Sequence, residues 1–229
     1  MKKLLFPLSA VILAGSCVLF LFSCATHPET RTVETRPVEV PSETKPAGTI
    51  PEETKPVEIS AKKPEVPSSI MGKGMVFPEK MAAFLLQYNP QITGTYALML
   101  ANLYVTESEY EGVNHDIAFS QMCLETGYLR YGGDVKPEQF NYAGLGAIGN
   151  GEPGLSFPDP SIGVRAQIQH LKAYGSEEPL KGDLVNPRFR FVRRGISPTI
   201  EGLAGTWAAD RQYAVKINSI LERLYEFSF

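Results

Sequence analysis

The chain has 229 residues, a formal net charge of -3 and a pI near 5.7, a balance that argues against nucleic acid as its partner. Two of its three cysteines, Cys17 and Cys24, lie in the N-terminal apolar region, so the third, Cys123, has no disulfide framework to join. The two ends differ so much in composition that one folded domain is expected, not two.

Met1-Lys2-Lys3 gives a positive start, and residues 4–22 are almost wholly apolar. Residues 1–24 read as an export signal. Leu21-Phe22-Ser23-Cys24 resembles a lipobox, the sequence cut just before a cysteine that becomes diacylated, with Phe22 bulkier than the small residue usual there. Cys24 is therefore the expected lipidation site. The competing reading is an uncleaved membrane helix, since an apolar run of about nineteen residues is nearly long enough to span a bilayer. Both readings place the rest of the chain outside the cytoplasm, facing the periplasm or the cell exterior and tethered to a membrane.

Residues 25–70 are rich in Pro, Glu, Thr, Val and Lys. Glu34-Thr35-Arg36-Pro37-Val38-Glu39 returns as Glu53-Thr54-Lys55-Pro56-Val57-Glu58, with a shorter copy between them. Such a segment buries no core and is expected to be a disordered, partly stiff linker, with a reach of ~140 Å at full polyproline extension.

Residues 71–229 carry a globular composition and a mostly helical apolar pattern, so a mainly α domain is expected. Met81, Phe84, Leu85 and Tyr88 predict a helix over 78–88 with Pro78 in its first turn. A second helix is expected over 96–110. Asn114 is a suitable N-cap for a third over 115–126, which Gly127 would end. Asp159-Pro160 opens a helix running to about Tyr174, Ser197-Pro198 opens another leading towards Trp207, and a last helix is expected over 212–225. The stretch between 126 and 160 has no helical period. It is Gly-rich and aromatic-bearing, and reads as a long functional loop or small hairpin lobe.

The chemistry centres on Glu125. Residues three, four and seven positions earlier, Met122, Gln121 and Ala118, share its helical face, so one carboxyl group stands on a poorly solvating surface. Apolar burial raises a carboxyl pKa, and a neutral Glu can give a proton to a leaving oxygen. The alternative is a helix-terminal Glu paired with a nearby cation. Tyr128, Tyr131, Phe140 and Tyr142 follow it among glycines that permit close backbone approach, a combination of flat rings and polar backbone that suits a sugar. Cys123 is expected to be a buried, unreactive thiol. His115 and His170 are read as helix-start and helix-surface residues, and no metal site or cofactor is expected. Arg188, Arg190, Arg193 and Arg194 form a basic patch, either a solvated face or a contact for peptide carboxylates.

Three motifs follow in order: Glu125-Thr126-Gly127-Tyr128, then Asn141-Tyr142-Ala143-Gly144-Leu145-Gly146-Ala147, then Trp207 to Ile217 with Tyr213-Ala214-Val215-Lys216. Together, over roughly 115–222, they resemble the bacterial glucosaminidase domain, glycoside hydrolase family 73. The resemblance implies a lysozyme-like α-helical fold and cleavage of the β-1,4 bond after N-acetylglucosamine in peptidoglycan. It implies Glu125 as general acid, Tyr213 as a catalytic-site tyrosine, and Tyr128, Asn141, Tyr142, Gly144 and Trp207 as substrate contacts. Trp207 stands where the family usually has a Tyr. Hydrolysis commonly uses a second carboxylate. Asp159, Glu152, Asp134 and Glu138 are the candidates, with Asp159 also placed to cap a helix, and the substrate's 2-acetamido group is the alternative nucleophile. A lytic transglycosylase and a non-catalytic peptidoglycan-binding lipoprotein are the rival readings.

Overall fold

The computed structural model describes residues 64–149 and 151–229. The expected signal segment, Cys24 and most of the expected linker lie outside the described residues. Five helices form the domain: α1 (Pro78–Tyr88), α2 (Gly94–Glu111), α3 (His115–Glu125), α4 (Pro160–Gly175) and α5 (Tyr213–Ser228). Among the described residues there is no β-strand, only isolated bridges, so the fold is mainly α. No helix among them is long and apolar enough to cross a membrane.

α3 is the hub. Every residue from His115 to Cys123 is buried, the polar His115, Asp116, Ser120 and Gln121 among them, so the helix has no solvent-facing polar side until its last two residues. α5 packs along one side of α3, and α2 packs against α3, α1 and α4. Asn114 starts the hub by accepting from the backbone N–H groups of Asp116 and Ile117. Asp116 is buried but fully occupied. It accepts from Met75 N at 2.7 Å, from Val76 N at 3.2 Å and from the Tyr225 hydroxyl at 2.8 Å, tying α5 and the segment before α1 to the start of α3.

A second polar tie holds α2 to α4. Lys172 and Glu111 form a fully buried ion pair at 2.8 Å, and Glu111 also accepts from Lys181 N and Gly182 N. Burial alone would raise the Glu111 carboxyl, but these donors outweigh it and hold the group below its ordinary range. Residues 68–71 are pinned between two distant segments: Ile70 N donates to Pro198 O, Ile200 N to Ser68 O, and Asn114 N to Ile70 O. Ile70 is wholly buried by this pinning.

The helix expected after Ser197-Pro198 does not form. Only a single 3-10 turn, Glu201–Leu203, appears, followed by a tight turn through Trp207. The reason is local. The Ser197 hydroxyl bonds Gly202 O and Thr206 Oγ1, and Thr206 Oγ1 also bonds Gly202 O, so side chains take up the carbonyl a helix needs. Residues 127–159 form an irregular lobe with one 3-10 turn, Pro137–Gln139, and one bridge, Gly149 to Glu152.

Candidate active site

α3 ends at Glu125 because the chain then turns left-handed for three residues running. Gly127, Tyr128 and Leu129 have φ of 57°, 59° and 61°. Only the first is a glycine, and each of the other two costs on the order of 1 kcal/mol or more. The turn is held by Tyr128 N to Cys123 O at 2.8 Å, Tyr131 N to Thr126 O at 2.8 Å and Leu129 N to the Thr126 hydroxyl at 2.9 Å. Its effect is to lead the backbone away from the helix axis, so Glu125 projects from the last turn into a cavity of ≈ 390 Å³. That volume lies within the range of small-ligand clefts.

The cavity is walled by residues of the irregular lobe, among them Tyr131, Asp134, Asn141 and Gly144. The Glu125 side chain is exposed at this opening, while its carboxyl is hemmed by protein on the other side. Trp207 Nε1 donates to its Oε1 at 3.1 Å, and the Tyr213 hydroxyl donates to the same oxygen. Burial raises the Glu125 carboxyl above its ordinary range, and the two donors only partly offset that. Burial and the facing carboxyl likewise push Tyr213 well up, so it stays a neutral hydroxyl. A carboxyl group whose pKa is shifted upward thus stands beside a cavity, the direction of shift that suits a group giving a proton to a leaving group.

The other expected site residues divide. Asn141 lines the cavity, but its side chain is a staple: Oδ1 accepts from Leu145 N, and Nδ2 donates to Leu145 O and Leu155 O. Gly144 lies beside Glu125, where an added Cβ would make ordinary contact with Oε2 at 3.7 Å, and it is the backbone φ of 62° that favours glycine there. Trp207 is half-buried, its indole against His170 and Tyr174 and its N–H on Glu125. Tyr128 and Tyr142 lie in the core. Tyr128 stacks on Tyr88 with ring centroids 4.3 Å apart, and the Tyr142 hydroxyl meets that of Tyr96 at 2.9 Å. Asp159 does not line the cavity; its Oδ1 accepts from Ile162 N and caps α4. Asp134 is the other carboxylate that does line it, with Oδ1 held by Gly151 N at 3.2 Å.

His170 corrects the expectation of a helix-surface residue. It is buried under Trp207 and bonded to Asn186, and burial together with Arg188 lowers its pKa to about 4. Cys123 is a free buried thiol, as expected, with its pKa driven up by burial. Of the basic patch, Arg188 and Arg190 lie over the Phe191 ring, and Arg194 lies over Phe189 while bonding the carbonyls of Ser176 and Glu178.

Residues 101–226 match the sequence profile of the family described as glucosaminidase, mannosyl-glycoprotein endo-beta-N-acetylglucosaminidase. The chain belongs to the glucosaminidase family. A relative is found in Borreliella burgdorferi, an uncharacterized protein 42% identical over 159 residues, which are 69% of this chain and 78% of that protein. No solved structure matches the chain. The glucosaminidase match takes in Glu125, the whole irregular lobe and Tyr213, so every residue that builds the cavity lies inside it. Membership places the chain among glycosidases, with peptidoglycan as the implied substrate.

Proposed function

We propose that this protein is a membrane-tethered endo-β-N-acetylglucosaminidase of the cell envelope, cutting the β-1,4 bond after N-acetylglucosamine in peptidoglycan strands. One observation carries the reading: Glu125 faces an open cavity with both of its protein hydrogen bonds on Oε1, leaving Oε2 turned toward the lobe. In the proposed reaction Glu125 protonates the bridging oxygen as the glycosidic bond breaks. Asp134, rather than the helix cap Asp159, is the carboxylate placed to orient water or steady positive charge on the sugar ring. Trp207 and Tyr213 hold the acid in place, and Gly144 lines the cavity beside its free oxygen. The tether would be the lipid on Cys24, with residues 25–70 setting the reach to the wall.

Digestion of purified sacculi tests this. Wild type should release fragments with new reducing N-acetylglucosamine ends, and Glu125→Gln should lose about 100-fold or more of that release. Asp134→Asn should fall markedly while Asp159→Asn should keep its turnover apart from a stability loss of about 1 kcal/mol from the cap. Equal release by wild type and Glu125→Gln would remove Glu125 as the acid. Anhydro-muramic ends would make the reaction a transglycosylation.

A further inference from the structure

Behind Tyr213 lies a row of buried polar side chains that the proposed reaction does not touch. Gln121 Nε2 lies 3.0 Å from the Tyr213 hydroxyl, Gln167 Nε2 lies 2.9 Å from Gln121 Oε1 and 3.0 Å from Ala118 O, and the Tyr104 hydroxyl lies 2.5 Å from Gln167 Oε1. Gln121, Gln167 and Tyr104 are all wholly buried, so water supplies none of these bonds.

The direction of every bond in the row is forced from one end. A backbone carbonyl only accepts, so the Gln167 group facing Ala118 O is its NH₂, and its oxygen must face Tyr104. That NH₂ also meets Gln121, which must therefore present its own oxygen there and its NH₂ to Tyr213. The Tyr213 oxygen accepts from Gln121, and its single proton goes to Glu125 Oε1. Trp207 Nε1 can only donate, and it donates to the same oxygen. Two donors fill Oε1. A neutral Glu125 is left with its proton on Oε2, the oxygen beside Gly144 at the cavity.

We propose that Gln121 and Gln167 are positioning residues: a relay running from the Ala118 carbonyl to Tyr213 dictates which oxygen of Glu125 carries the acid proton and turns that proton toward the substrate. This rests on Glu125 being the acid. Without the relay the Tyr213 hydroxyl is free to accept from Glu125, so the proton divides between Oε1 and Oε2. The protonated form then gains states and the acid titrates higher, while the share of enzyme with its proton facing the cavity drops.

Trp207 is the chain's single tryptophan and touches the acid directly, so its fluorescence reads Glu125 without any need for turnover. The other titratable groups facing this pair are Tyr213 from α5, Tyr131 and Asp134 from the lobe, and His170 and Tyr174 from α4, with Arg188 beside His170. Subtracting the Glu125→Gln titration from each curve removes their steps. In the full chain, Gln121→Met and Gln167→Met should raise the Glu125 midpoint and lower kcat on the order of 10-fold with KM little changed. Gln169→Met is the control, since Gln169 is equally buried on α4 but serves Asp183 O, Val185 N and Asn186 N; it should leave the midpoint in place. Should the two relay variants fail to fold, NMR of the wild type decides: the Gln121 side-chain amide must titrate with the Trp207 midpoint and lose that step in Glu125→Gln. Relay variants that titrate like wild type, a Gln169→Met shift of equal size, or a flat Gln121 amide would overturn the proposal. Sacculi left intact by wild type would instead defeat the glycosidase reading while leaving these titrations valid.

Discussion

Glu125 is held in a place that favours function over stability. Its folded-state pKa is raised, so the folded protein binds that proton more tightly than the unfolded chain does. The stabilisation is complete below the unfolded value, about 4.3, and is lost as pH climbs through the folded value. Glu125→Gln keeps an oxygen able to accept from Trp207 and Tyr213 while removing the charge. It should melt higher than wild type at about pH 7, with the gap closing toward about pH 4; calorimetry across that range checks the sign, and a lower melt at neutral pH would contradict it. The acid itself was legible in the sequence because a carboxylate at the end of an apolar helical run, followed by Gly and Tyr, is an uncommon arrangement. The partners were less so. Tyr213 and Trp207 came only through motif resemblance, and Gln121 entered merely as a neighbour on the same helical face. Side chains 46 and 92 residues apart meet there, and no local pattern marks such a meeting.

At the scale of elements, α4 and the irregular lobe meet with no room to spare. An added Cβ at Gly163 would stand 1.9 Å from Phe140 O, inside any allowed contact. Gly163→Ala must therefore push the lobe off α4, with an expected cost of about 1–3 kcal/mol and a displaced Asn141–Gly144 floor. Both a lower Tm and reduced release from sacculi should follow. Helix starts were well marked in the sequence, since Pro78, Asn114 and Asp159-Pro160 each act through a proline ring or a capping oxygen within a few residues. Ser197-Pro198 offers the same mark and yet no helix follows, because Ser197 spends its hydroxyl on Gly202 O and Thr206. The left-handed run at 127–129 was equally hidden: two of its three residues bear large side chains that ordinarily avoid positive φ.

For the molecule as a whole, stability depends on a few buried polar ties between distant segments. Lys172→Met would strand Glu111 without its cation in the interior and should cost about 3–5 kcal/mol, lowering Tm by roughly 10 °C. Adding Glu111→Gln should recover part of that loss, and denaturant melts of the single and double variants measure how much. A mainly α fold was readable from apolar periodicity, but the central place of α3 was visible only as the lack of any charged residue between Asp116 and Glu125. Its burial has a practical corollary at Cys123, two positions before the acid. With that sulfur enclosed and its ionisation suppressed, thiol reagents find nothing to attack in the native enzyme. Any alkylation at Cys123 is then a time stamp, counting how often α3 comes loose from its neighbours.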